Sequence, residues 1–315
     1  MAEFFSAVVI VAVICSSSNL LQSSEAADQN RITPSRISFN KGFKALYGEA
    51  NVIPYEDDGS VDISMDGTTS SGFHSRQMYV NGNFETSLKL PSSYTAGVVV
   101  TFYTSNNQKY PYRHDEIDFE FLGHIGGKNW TVQTNFYGNG RVDRGREERY
   151  GLWFDPSEDY HRYRIRWGPN RITYYVDDVP IRHVRRVPAM GMGAEADFPS
   201  KEMRLYGTIW NGSDWATGGG KYKMDLSYGP FVAKYSGFVL DGCPFNETCS
   251  SGSGGDVNGD LTREERVKMN GFRRKWMNYS YCYDKTRYAV PLPECVFNSR
   301  ELRHLQKLHP TTYGH

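Results

Sequence analysis

Residues 28 to about 240 read as an all-β sandwich of jelly-roll type, and three features carry that reading. Short segments alternate apolar and polar residues, Gly, Asn and Pro punctuate them, and two of them join as a hairpin. S-V-D-I-S-M (60–65), Q-M-Y-V-N-G (77–82), E-T-S-L-K-L (85–90) and H-R-Y-R-I-R-W (161–167) have the period of two of half-buried strands. R-I-R-W-G-P-N-R-I-T-Y-Y-V turns at Gly168, Pro169 and Asn170. So many short strands over about 210 residues need two sheets, and no repeat of fixed period is present.

The chain of 315 residues is 39% hydrophobic and 14% aromatic, enough for one large core or two smaller ones. It balances 36 basic against 36 acidic residues, which excludes the basic surplus of a nucleic-acid binder. Its many aromatics suit stacking on sugar rings and suit an ordinary β core equally well.

At the N-terminus, F-F-S-A-V-V-I-V-A-V-I-C is too short to span a membrane, and small residues follow it before Asp28. Residues 1–27 are therefore expected to be a secretory leader cleaved near Ala26 or Ala27, although it lacks Lys and Arg and carries Glu3. No later stretch is apolar enough for a membrane helix, so no membrane partner is expected.

From Glu116 to Leu122 the run E-I-D-F-E-F-L alternates acid and apolar residue. On a strand, Ile117, Phe119 and Phe121 face a core while Glu116, Asp118 and Glu120 line the opposite face; on a helix the three acids would scatter. Neighbouring acids stand ~7 Å apart at the backbone, and burying them costs several kcal/mol each unless they are paired or used. A solvated face is a poor account, since alternate acids repel and any polar residue would serve. A calcium site, with His114 beside the acids, needs oxygen ligands that one strand cannot supply. Glycoside chemistry needs what the row offers: two carboxyls, one nucleophilic and one acid/base, that side chains can bring to about 5–5.5 Å. Asp118 between Glu116 and Glu120 could bond the nucleophile and hold a shared proton, pushing the pKa values apart.

After residue 240 the composition changes. S-S-G-S-G-G-D-V-N-G-D (250–260) reads as a linker, and Thr262 and Glu265 in capping-box spacing start a helix. Asp256, Asn258 and Asp260 resemble the start of a calcium loop, but Leu261 and Val267 stand where Gly and Glu are required. With Cys15 lost in the leader, Cys243, Cys249, Cys282 and Cys295 make an even set for two disulfides. Of three connectivities, the sequential one, Cys243–Cys249 with Cys282–Cys295, is the local expectation. Asn129, Asn211, Asn246 and Asn278 head glycosylation sequons.

H-D-E-I-D-F-E-F-L-G closely resembles the catalytic strand of the plant xyloglucan endotransglucosylase/hydrolases of glycoside hydrolase family 16. Q-T-N (133–135), G-R-E-E-R-Y (145–150), L-W-F-D-P (152–156), Y-V-D-D-V-P-I-R (175–182), W-N-G-S-D-W-A-T-G-G-G (210–220) and Y-C-Y-D-K-T-R-Y-A-V-P-L-P-E-C (281–295) resemble further family blocks. The resemblance spans roughly residues 35 to 310.

It implies a concanavalin-like jelly roll over 28–240 with an open cleft, and a disulfide-bonded C-terminal extension over 241–315 containing a helix. Position by position, it implies Glu116 as nucleophile, Asp118 as assisting acid and Glu120 as acid/base. Sugar contacts are implied for Gln133, Thr134, Asn135, Gly145, Arg146, Glu147, Trp215, Ala216, Gly220 and Arg287, with His114 orienting the acids. Asn129, Asn246 and Asn278 are expected to carry glycans, and Asn211, inside a substrate loop, to stay bare. Many family members carry the sequon directly after the catalytic strand, where this chain has His124. The implied activity is cleavage of the β-1,4 backbone of xyloglucan with retention and transfer to another xyloglucan chain or oligosaccharide. It needs no cofactor and no metal, and the expected setting is a secreted monomer in the cell wall or apoplast. A xyloglucan hydrolase is the nearest alternative; a non-catalytic wall lectin would have no use for the acid row, and a calcium-stabilised wall protein would depend on the ion.

Overall fold

The computed structural model of the chain describes residues 35–56, 59–187, 197–249 and 257–309. The expected leader, 1–27, lies outside them.

The strands are β1 (Phe43–Tyr47), β2 (Val52–Pro54), β3 (Ser60–Met65), β4 (Ser71–Ser75), β5 (Tyr79–Lys89), β6 (Val98–Ser105), β7 (Glu116–Leu122) and β8 (Thr131–Tyr137). There follow β9 (Glu148–Tyr150), β10 (His161–Gly168), β11 (Arg171–Val176), β12 (Val179–Arg185), β13 (Arg204–Asn211), β14 (Phe231–Pro244) and β15 (Met277–Ser280). Two helices, α1 (Arg263–Trp276) and α2 (Ser299–Leu308), come late in the chain. An eight-stranded sheet runs β1-β4-β13-β6-β7-β8-β9-β15, and a seven-stranded sheet runs β12-β11-β10-β5-β14-β3-β2. All pairings are antiparallel. The segments expected at 77–82 and 85–90 are one strand, β5, whose inward residues alternate from Gly82 to Leu88 after a shift of phase behind Tyr79. The expected hairpin at 168–170 joins β10 to β11.

Aromatic residues fill the space between the sheets. Phe119 of β7 meets Tyr174 of β11 edge-on at 5.3 Å, and Phe121 meets Tyr163 of β10 at 4.6 Å. Such contacts contribute about 0.5–1.5 kcal/mol beyond area burial and fix the rotation of β7. The outward face of β7 is fixed with it.

The C-terminal segment is built into the sandwich. β14 runs through residue 240, and β15 extends the eight-stranded sheet by pairing with β9. The described residues, from Ser35 on, form one compact unit. Both expected disulfides, Cys243–Cys249 and Cys282–Cys295, are present. The Thr262–Glu265 capping box starts α1 as expected: Glu265 N donates to Thr262 Oγ1 at 3.1 Å and Thr262 N donates to Glu265 Oε2 at 2.8 Å. The sequence reading missed α2, whose polar residues hide a narrow buried stripe, Glu301 and Leu305.

Part of the expected linker is docked. Residues 250–256 lie outside the described residues, but Val257 and Leu261 are buried against the sandwich. Asp260 draws that end in, because Arg171, Arg185, Arg266 and His183 all approach its carboxylate.

One ion cluster ties extension to sandwich. Arg273 of α1 grips Glu148 of β9 with two bonds, at 2.7 and 2.9 Å, and Glu301 of α2 at 2.8 and 3.2 Å. Glu148 also accepts from Ser280 at 2.8 Å and from the Tyr150 hydroxyl, with Arg182 at 3.4 Å. The neighbouring arginines hold the Glu148 carboxyl well below the usual range, overcoming the opposing effect of its burial. Breaking such a pair strands a buried charge. Arg273→Ala is therefore expected to destabilise the protein by about 3–5 kcal/mol in urea unfolding, and a loss below about 1 kcal/mol would contradict this account.

Candidate active site

Residues directly opposite in antiparallel strands share a face, so the register of the eight-stranded sheet maps its outer surface. Glu116 lies between Ser105 of β6 and Tyr137 of β8. Asp118 lies between Tyr103 and Asn135, and Glu120 between Thr101 and Gln133. The Glu120 row continues through Thr208 of β13 on one side and through Arg149 of β9 and Tyr279 of β15 on the other. The three acids therefore stand side by side in the middle of the sheet, as the alternation predicted. They line a cavity of about 310 Å³ together with Tyr47, Tyr103 and Trp210.

Each acid has a distinct setting. Burial pushes the Glu116 carboxyl up to about 7, opposed by hydrogen bonds from Ser105 and Asp118. Burial also raises Asp118 well above its ordinary range, and the charges of Glu116 and Glu120 add to it. The interaction between them lowers the first and raises the second, so Asp118 holds its proton to higher pH and Glu116 is the one of the two that ionises first. Burial raises Glu120 too, against a Gln133 Nε2 bond of 2.5 Å that lowers it. Gln133 is held in turn by Arg149, whose Nε donates to Gln133 Oε1 at 2.7 Å.

The base of the strand is pinned by a group that the sequence reading left without a role. Asp115 is wholly buried and accepts from Asn139 N at 2.6 Å, Ser200 N at 2.7 Å, Lys201 N at 2.8 Å and Lys201 Nζ at 2.6 Å. Its signal was its phase, one residue off the outward row. His114, edge-on to Tyr137 at 6.3 Å, is held below its usual range by burial.

Of the expected sugar contacts, Gln133 and Asn135 share the face of the acids. Two others face elsewhere. Thr134 alternates with them, is fully buried, and its hydroxyl accepts from Arg182 at 2.9 Å, so it is a core residue. The Arg146 guanidinium is also buried, over Phe136 and bonded to Glu294 and Asp197, so only its backbone N reaches the row, donating to Asn135 Oδ1 at 2.7 Å. Glu147 pairs with Arg287 of the disulfide loop at 2.6 Å. Gly145 permits that approach, because a Cβ there would stand 2.3 Å from Arg287 Nη2. Trp215 lies 6.1 Å from Trp210, and Ala216 is buried behind the pair. Gly220, at φ +85°, closes their loop against Asp214 O, where a Cβ would stand at 2.2 Å.

Asn129, Asn211 and Asn246 are exposed, whereas Asn278 is only half-exposed. The sequence reading did not find Tyr47, Tyr103, Thr208, Trp210, Arg149 or Tyr279, because only the register brings them beside the acids. Among the described residues, no group of His, Cys, Asp and Glu is arranged to hold a metal ion.

Comparison with known proteins agrees with the fold. The model of glycosyl hydrolases family 16 matches residues 39–228, and that of the xyloglucan endo-transglycosylase C-terminus matches 249–295. "Probable xyloglucan endotransglucosylase/hydrolase protein 27" of Arabidopsis thaliana is 49% identical over 284 residues, covering 88% of this chain and 84% of that protein. "Probable xyloglucan endotransglucosylase/hydrolase protein 30" of the same plant is 51% identical over 269 residues, 82% of this chain and 77% of its own. Among solved structures, a Bacillus licheniformis β-glucanase superposes with TM-score 0.50 at 25% identity, over 65% of this chain and 94% of its own.

Because Glu116 titrates near 7 when folded, against 4.5 ordinarily, the folded chain keeps a proton there that the unfolded chain has released. Folded stability from this group therefore falls as pH rises between those values and is lowest above them. Glu116→Gln is expected to stabilise the protein by roughly 3 kcal/mol at about pH 8 and hardly at all at about pH 4. Urea unfolding at both pH values checks this; equal stabilisation at both would contradict it.

Proposed function

The chain belongs to glycosyl hydrolase family 16, and from that premise we propose that it cleaves the β-1,4-glucan backbone of xyloglucan with retention and passes the cut end to another xyloglucan chain or oligosaccharide. The observation that carries the reading is the row of three carboxyls, Glu116, Asp118 and Glu120, on one face of β7 with their pKa values raised. A glucan-binding surface gains nothing from that repulsion.

The chemistry follows from the settings of the acids. Ionised Glu116 attacks the anomeric carbon while protonated Glu120 gives its proton to the departing chain, leaving a covalent glycosyl-enzyme. Asp118, holding its own proton on Glu116, orients the nucleophile. Once Glu116 is esterified its charge is gone, so Glu120 can carry the negative charge alone. It then takes the proton of an incoming sugar hydroxyl, which attacks the anomeric carbon and frees Glu116. Water in place of that hydroxyl gives hydrolysis.

Gln133 positions Glu120, while Asn135, Trp215, Glu147 and Arg287 border the path of the glucan. The wider assignment has residues 1–27 as a cleaved leader, 28–240 as the catalytic sandwich and 241–315 as its extension, acting as a monomer in the cell wall.

Secreted protein incubated with xyloglucan polymer and labelled xyloglucan oligosaccharide should move label into polymer with few new reducing ends. Reducing ends without label transfer would make it a hydrolase. Glu116→Ala should bring both signals to background, and Glu120→Ala should lower them about 10²–10⁴-fold. Wild-type turnover in Glu116→Ala would sink the assignment of the nucleophile. Removing the Gln133 bond lets the Glu120 pKa rise further, so Gln133→Met should shift the alkaline limb of the pH–rate profile upward. An unmoved limb would take Gln133 out of this role.

A further inference from the structure

On the β6 side of the acids the outer face of the sheet ends in a cluster of cations. Asp118 lies opposite Tyr103 of β6, Tyr103 opposite Tyr206 of β13, Tyr206 opposite His74 of β4, and His74 opposite Lys44 of β1. These five residues form one line across five strands. Tyr103 and Tyr206 are stacked at 4.9 Å, and the His74 ring stands 5.9 Å from Tyr206. Four strand steps put Lys44 ~19 Å from Asp118 at the backbone. The row of Glu116 leads through Ser105 to Arg204, two steps or ~10 Å away.

Lys44, Arg204 and Arg76, the residue after β4, gather at that corner, with Lys44 and Arg76 exposed. His74 feels all three: burial is the main cause that holds it below its usual range, and the charges of Arg204, Lys44 and Arg76 add to it. Tyr206 stands between the two centres of charge. Its hydroxyl, pushed up to about 12 mainly by burial, feels Arg204 and Glu116 with opposite sign. Among the described residues no carboxylate pairs with any of the three cations. The chain serves its other clustered arginines with acids, as at Glu148 and Asp260. Cations held together without an acid repel, and an incoming anion relieves that repulsion.

We propose that Lys44, Arg76 and Arg204 form a carboxylate-binding subsite that selects glucan chains carrying an acidic side-chain sugar. The inference deepens the proposed function and rests on it, because a glucan lying over the acids of β7 reaches this corner by running across the same face. Arg204 is set to receive a carboxylate. Its Nη1 donates to Ser75 O at 2.6 Å and to Arg76 O, which fixes the plane of the guanidinium. Its Nε and Nη2 donate to no described residue, and that edge is the fork that grips a carboxylate with two parallel bonds. Lys44 adds a mobile charge beside it. The acids of β7 sharpen the choice, since they repel a carboxylate from the centre of the cleft while the corner attracts it. The acidic sugar therefore sits several units from the bond that is cut.

The test uses the full chain carrying Glu116→Gln, so that binding is read without turnover. Its ligands are xyloglucan oligosaccharides before and after oxidation of their side-chain hydroxymethyl groups to carboxylates, titrated calorimetrically at low salt and at about 1 M salt. At low salt the oxidised ligand should bind about fivefold more tightly, and at high salt, where the screening length falls to ~3 Å, the preference should vanish. Adding Lys44→Gln and Arg204→Gln together should abolish the preference and leave the affinity for the neutral ligand unchanged. Lys44→Gln alone, at an exposed side chain, should remove about half of it. Thermal unfolding checks that each variant is folded. No preference in the parent, a preference that survives the double variant, or equally tight binding of galacturonate oligomers, which lack the glucan backbone, would overturn the proposal. The neutral ligand tests the proposed function by itself. Binding of neither ligand sinks both readings, whereas a neutral ligand bound as tightly as the oxidised one sinks this inference alone.

Discussion

Everything at this site depends on keeping three carboxyls together on one face of a single strand. Each would lower its free energy by turning to water or by keeping a proton, and the strand prevents the first because its other face is locked. Phe119 and Phe121 sit against Tyr174 and Tyr163 of the opposite sheet, and Asp115 is fastened by three backbone N–H groups and a lysine at the strand's foot. A rotation or slip of one residue would send the acids into that core and the phenylalanines into the cleft. The apolar half of the alternation is therefore what makes the acidic half usable.

The protein treats buried charge in two opposite ways within a few residues. In the block from Arg146 to Arg149 every charge has a separate destination. Arg146 goes inward to Glu294 and Asp197, Glu147 to Arg287, Glu148 to Arg273 and Arg182, and Arg149 outward to Gln133. Glu148, ringed by donors, is held ionised and serves to fasten the extension. Glu116 and Asp118, denied cations, are left with raised pKa values that suit proton handling. The difference lies in which partners the fold supplies, since all three are carboxylates of the same sheet.

This division explains what was legible in the sequence. Strand β7 was read to the residue, because alternation survives any tertiary context that buries one face. The α1 start was equally clear, since a capping box is a local device. Thr134 and Arg146 were carried over with their blocks as sugar contacts, and the structure turns both away: Thr134 by strand phase, and Arg146 by burial against acids at 197 and 294. Phase alone would have excluded Thr134, as it would have marked Asp115 for the interior. The partners of Arg146 could not be read, because they lie 51 and 148 residues away in the chain. Helix α2 escaped for a related reason: its buried stripe includes Glu301, which looks like a surface residue until Arg273 is placed beside it.

The extension then bears on the choice between water and sugar in the second half of the proposed reaction. β15 adds Tyr279 to the row of Glu120, and the disulfide loop brings Arg287 to Glu147 at the same edge. Both lengthen the surface on the β8 side of the acids only; the opposite side, through β6, β13, β4 and β1, is complete without the extension. Water needs no such surface. An acceptor chain does, because its advantage over far more concentrated water must come from being held with one hydroxyl at the anomeric carbon. A segment that enlarges the cleft on the β15 side and ties itself there with a buried ion cluster is hard to explain for a hydrolase that only has to release its product. It is what an enzyme needs if the product's place must be filled by a second chain before water arrives.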